Sequence, residues 1–218
     1  MPPAQDGFKS WSKGCGMYDV NAVASMANCD RCANLTVFDG HTNCMMAGSN
    51  GCPLSAATEE GVMTDPELAP LCDKTIADDA IAKLKLASAF KTQTGRPFFL
   101  NCGFRKPHMA WRYPAAFLKY YPDPSAIVTA AYPTMDATVP PIAHHTPDLQ
   151  SQSGGNPYIP MNKTTAQWSR LSYYSAVSWM DSQLGRVLDE LDAQKQTADT
   201  LIVMHSDHGW NLGVSGST

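Results

Sequence analysis

The chain has 218 residues, 44% of them hydrophobic, and a formal net charge of -4. That length suits one α/β domain or a large piece of one, with enough apolar residues for a sizeable core. The acidic balance and the lack of a basic run exclude the charge footprint of a nucleic-acid binder, and no apolar stretch of roughly 18 residues is present to cross a membrane.

Residues 1–73 are rich in Gly, Pro, Asn, Ser and Cys and carry little periodicity. The opening Met1-Pro2-Pro3-Ala4-Gln5-Asp6 lacks the apolar centre of a signal peptide. The stretch reads as a long irregular excursion, with at most short strands such as Leu35–Phe38. Six of the seven cysteines lie there: Cys15, Cys29, Cys32, Cys44, Cys52 and Cys72. Cys29-x-x-Cys32 alone fits zinc or a redox pair. A second pair with metal-site spacing is missing, and no βαβ pattern surrounds it, so disulfides in an oxidising compartment fit better. The sequons Asn34-Leu-Thr36 and Asn162-Lys-Thr164 agree with such a compartment. Long loops in compact domains are usually functional or stapled. The cysteines would be the staples, and Cys52 is expected to pair with a cysteine in the 29–44 stretch.

Residues 76–90 read as a helix. Asp78 and Asp79 would sit at its positive end, and Ile76, Ala80, Ile81, Leu84 and Ala87 would share one face. Thr94-Gly95-Arg96 ends it. Phe98–Cys102 is a short apolar run, expected as a buried strand, which makes half of a βαβ unit with the helix. It leads into Arg105-Lys106-Pro107-His108. Residues 112–160 are proline-rich loop, broken by one short helix from Pro114 to Tyr120. His144 and His145 in that loop read as solvent-facing. Thr164 or Thr165 can cap a helix reaching to about Gln194. Its buried face would carry Trp168, Leu171, Ser175, Met180, Leu184, Val187, Leu188 and Leu191, with Gly185 allowing close packing. Asp189, Glu190 and Asp192 read as a solvated face. Leu201–Met204 is an unbroken apolar run too short for a helix, expected as a buried parallel strand.

That last strand ends at His205-Ser206-Asp207-His208-Gly209. Ligand groups in open α/β sheets sit past the carboxyl ends of strands. Two such loops would bring together Lys106, His108, Asp207 and His208. Asp207 is a hard oxygen donor suited to Ca2+ or Mg2+. His108 can donate a hydrogen bond to an anionic oxygen or protonate a leaving group.

Three segments in order carry a family resemblance. PFFLNCGFRKPHMAWRYPAAFLKYYP at 97–122, LSYYSAVSWMDSQLGRVLDELD at 171–192 and TLIVMHSDHGWNLG at 200–213 resemble iduronate-2-sulfatase-like sulfatases. DGFKSWS at 6–12 and residues 52–81 are similar too. The resemblance implies the alkaline-phosphatase-like sulfatase fold, a mixed sheet flanked by helices, and hydrolysis of sulfate monoesters on a sulfated saccharide. In such enzymes a cysteine of a Cys-x-Pro-x-Arg or Cys-x-Ala-x-Arg motif is converted to formylglycine by a formylglycine-generating enzyme. Its hydrate attacks sulfur while a Ca2+ ion polarises the sulfate. The resemblance places Asp207 and His208 among the metal-region residues. It places Lys106 and His108 on the sulfate, with His108 catalytic, and Trp210 at the substrate pocket. It also implies a lysosomal or secreted protein.

The departures are specific. Neither formylglycine motif occurs, the family's early Asp-Asp metal pair and the Lys-x-His pair that follows its nucleophile are missing, and Val214–Thr218 replaces the Glu-His-Gly expected after Gly213. The expectation is therefore an incomplete central part of a single sulfatase domain. Within it, 1–73 would be the cysteine-rich excursion and 74–218 a portion of the α/β core. Two other readings stay open: a degenerate, non-catalytic module binding sulfated glycans, and a phosphodiesterase or phosphonate hydrolase of the same superfamily.

Overall fold

A computed structural model describes residues 52–54, 57–62, 70–108, 111–134, 136–140, 162–207 and the single positions 160, 209 and 212. The order among them is β1 (Cys52–Leu54), α1 (Cys72–Thr94), β2 (Arg112–Pro114), short 3-10 turns at Ala115–Tyr120 and Pro124–Ala126, α2 (Lys163–Ala193) and a last 3-10 turn at Thr197–Asp199. The expected strand at Leu35–Phe38, the cysteines it lies among, and His144 and His145 lie outside the described residues.

β1 and β2 pair in parallel, with Cys52 opposite Arg112 and Leu54 opposite Pro114. A parallel pair needs a long crossover between its strands, and α1 lies within that connection. A βαβ unit is thus present, with Arg112–Pro114 as its second strand; the half-unit expected from the helix and a strand at Phe98–Cys102 is not what forms. The 98–102 run forms no regular element, and Phe99 is 92% exposed. Leu201–Met204 likewise forms no strand, with Leu201 87% exposed. Apolar runs of this kind become buried strands only when neighbours pair on both flanks. Among the described residues no strand pairs with either run.

α1 starts earlier than its periodicity implied, at Cys72, so Asp73 and not Asp78 occupies the first turn. Asp78 instead joins Lys74 one turn back and Arg186 of α2. Burial alone would raise the Asp78 carboxyl, but hydrogen bonds from Lys74 and Arg186 outweigh it and hold it below its ordinary value. Gly95 ends the helix in the left-handed region, φ 69°, and donates its N–H to the Lys91 carbonyl, the usual use of glycine after a helix. Ala77, Ala80, Leu84 and Ser88 form the buried face. Ile76, Ile81 and Ala87 flank it, half-buried.

α2 is capped by Asn162 rather than by Thr164 or Thr165: its Oδ1 accepts from the Thr164 N–H at 2.9 Å. Trp168, Leu171, Ser175, Met180, Val187 and Leu191 are buried as expected, while Leu184 is half-buried and Leu188 exposed. A Cβ on Gly185 would meet nothing within 4 Å, so this glycine does not serve close packing. Asp189 and Asp192 are exposed, whereas Glu190 is half-buried and pairs with Lys85. α2 packs on α1 along one side, around Ala77, Ala80 and Val187. Its other side meets β2 and the 3-10 turns, where Trp111, Tyr113 and Phe117 are buried. Tyr121 Oη is 2.8 Å from Ser178 Oγ, and Gln167 Nε2 donates to the Ser125 carbonyl at 2.8 Å. The 3-10 turn at Ala115–Tyr120 matches the short helix read from Pro114, with the proline one position before it.

Gly61 closes a turn onto Thr58 and receives the Leu71 N–H at 3.0 Å. Its φ is +85°, and an added Cβ would come within 2.9 Å of Trp179 Cζ2. Strain and overpacking act together there. Gly61→Ala is expected to cost about 1–3 kcal/mol of stability, read as a lower urea midpoint at unchanged slope; an unshifted midpoint would show that Trp179 yields without cost.

Candidate functional site

Arg105-Lys106-Pro107-His108 forms a turn, closed by the His108 N–H on the Arg105 carbonyl at 3.0 Å. The Lys106–Pro107 peptide is cis. The surroundings hold this turn from both sides. Asp73, fully buried in the first turn of α1, accepts the Arg105 N–H at 2.6 Å and the Lys106 N–H at 3.1 Å. Trp111, also fully buried, donates its indole N–H to the Pro107 carbonyl at 2.8 Å. The Trp111 ring meets Tyr173 of α2 edge-on, with centroids 5.7 Å apart, a favourable aromatic geometry. Burial pushes the Asp73 carboxyl above the usual carboxylate range, against the pull of the Lys106 charge and the two backbone N–H groups.

Lys106 and His108, singled out in the sequence, are thus brought together in one turn and face different ways. Lys106 is buried, and its Nζ donates to the His108 carbonyl at 3.1 Å. His108 is exposed. An imidazole on a backbone fixed at both ends can meet an anionic oxygen with little loss of freedom. Cys102, just before the turn, is a free thiol. Burial pushes its pKa up to about 11, with Asp73 and Asp79 adding to the rise, so it stays protonated near neutral pH.

Asp207 lies at a bend after the irregular 200–206 segment and is exposed. His208 and Trp210 lie outside the described residues. Among the described residues no three His, Cys, Asp or Glu side chains gather as a metal site. Asp207 supplies a hard carboxylate, yet Ca2+ takes about 6–8 oxygens. The described residues alone do not make a calcium site.

Arg170 of α2 holds the chain just past Asp207. Its Nε donates to the Leu212 carbonyl at 3.0 Å and its Nη1 to the Val128 carbonyl at 2.7 Å. Neither the sequence pattern nor the helix periodicity distinguishes this arginine from a surface cation. Arg170→Ala is expected to release both carbonyls at a local cost of about 1–2 kcal/mol, seen as faster protease cutting near Leu212. An unchanged cutting rate would show that other contacts hold the segment.

Comparison with known proteins identifies the family. Residues 15–217 match the sulfatase family. The chain is 37% identical over 153 residues to iduronate 2-sulfatase of Mus musculus and, equally, of Homo sapiens. A sulfatase of Formosa agariphila is 32% identical over 149 residues. These alignments cover 67%, 67% and 66% of the chain but only 27%, 27% and 28% of the relatives, so the chain spans about a quarter of their length. The chain belongs to the sulfatase family, in the type I branch of the alkaline phosphatase superfamily. That membership implies an alkaline-phosphatase-like α/β fold.

Proposed function

We propose that this chain is the central part of a sulfuric ester hydrolase acting on a sulfated saccharide, related to iduronate 2-sulfatase. The observation that carries the reading is the exposed His108 on a turn whose backbone is fixed by Asp73, Trp111 and Lys106. Hydrolysis breaks an S–O bond, and the departing alkoxide must gain a proton. His108 as imidazolium can donate that proton, or a hydrogen bond to a sulfate oxygen. Lys106 adds positive charge from beneath the turn. Trp210 is assigned to the wall of the substrate pocket, and Asp207 and His208 to this chain's share of a Ca2+ site. The mixed sheet flanked by helices, the formylglycine and the enzyme that generates it belong to this reading as features of the complete protein.

A lysosomal or secreted location fits the disulfide at Cys72. No helix among the described residues is long and apolar enough to cross a membrane. The expected Cys52 link to the 29–44 stretch lies outside the described residues.

The test is sulfate release by the complete protein, made together with a formylglycine-generating enzyme, from aryl and saccharide sulfates against matched phosphate esters. Preference for sulfate supports the reading. Preference for phosphate diesters or phosphonates would move the protein to a neighbouring branch, and binding of sulfated glycan without turnover would make it a non-catalytic module.

A further inference from the structure

We infer that Asp73 is a positioning residue for His108, acting through the backbone of the 105–108 turn. This rests on the sulfatase reading and deepens it. A carboxylate in the first turn of a helix ordinarily faces solvent or its own helix's free N–H groups. Asp73 does neither. It is 0% exposed, and its two oxygens accept N–H groups from residues 32 and 33 positions further on, at 2.6 and 3.1 Å. Burying a carboxylate is costly, so an acid kept there must be matched by what it holds. It holds two successive amides, which fixes the peptide planes on both sides of the Arg105 Cα, the second of them between Arg105 and Lys106. From that plane the chain runs through Pro107, pinned by Trp111, to His108. No hydrogen bond from Asp73 to His108 is needed: fixing the two amides sets where the imidazole leaves the backbone.

The experiment uses the complete protein with Asp73→Asn and Asp73→Ala, each alone and combined with His108→Ala. Asparagine matches the shape of aspartate but sets an NH2 group against one of the two N–H donors, so it guards against loss of the fold. Three results are expected. Hydrogen exchange at the Arg105 and Lys106 amides speeds up. For a saccharide sulfate, whose alkoxide needs a proton to leave, kcat falls by about tenfold to a hundredfold with KM little changed, the scale of a misplaced catalytic group. In the His108→Ala background the same Asp73 substitution changes kcat less than twofold, because residues that act as a unit are non-additive. Equal losses in both backgrounds, or unchanged exchange at the two amides, would overturn the assignment and leave Asp73 a general stability residue. A complete protein that releases no sulfate even in its unaltered form sinks the functional reading instead, and amide exchange then decides the Asp73 placement by itself.

Discussion

His108→Ala in the complete protein is expected to lower kcat for sulfate esters by about a hundredfold to ten-thousandfold, the range for losing a positioned acid. The fold should survive. The His108 side chain is exposed, and two backbone bonds at this position tie the turn together: its N–H donates to the Arg105 carbonyl and its carbonyl accepts from Lys106 Nζ. Alanine keeps both. The thermal midpoint should therefore move little while turnover collapses. The loss should also depend on the leaving group. A nitrophenolate departs without help, whereas a sugar alkoxide needs its proton, so the variant should be hurt more on saccharide sulfates than on nitrophenyl sulfate. An equal loss on both would assign His108 to the sulfate oxygens rather than to the leaving group, and no loss on either would remove it from the reaction.

How far the site was legible follows from which contacts are local. The two long helices could be read because their signals repeat every turn and end in recognisable residues: Gly95 after α1, and a polar residue before α2. Their starts were misplaced by a few residues, since Asn162 and the Cys72–Lys74 turn carry no apolar periodicity. The strands could not be read. β1 and β2 are three residues each, and β2 holds an arginine and ends in proline, while the runs that look like strands, 98–102 and 201–204, lack ladder partners among the described residues. A strand is defined by its neighbour, and an apolar run reports only that cover is wanted. Lys106 and His108 were found through side-chain chemistry. Asp73 was missed because its partners lie more than thirty positions away, and an acid in a first helical turn looks ordinary. Its one hint was that it is the first acid of α1, in a turn that offers no capping side chain at Leu71.

Residues 1–218 expressed by themselves are expected to leave aryl sulfates intact. Catalysis of this kind needs a nucleophile, a metal and several positioned cations acting together, and such groups are strongly non-additive, so part of the set gives far less than a proportional share of the rate. Neither Cys-x-Pro-x-Arg nor Cys-x-Ala-x-Arg occurs in these residues. Asp207, even with His208 beside it, offers too few oxygens for Ca2+, which takes about 6–8, so calcium binding should be weak. Phe99 and Leu201–Met204 are exposed and apolar, and the 201–204 run has no strand partner among the described residues. Surfaces of that kind drive association, and the product should be poorly soluble. The measurement is sulfate release after co-expression with a formylglycine-generating enzyme, alongside calcium titration by calorimetry. Turnover above background that vanishes on His108→Ala would mean that the nucleophile lies within these residues after all, in a form that neither motif describes.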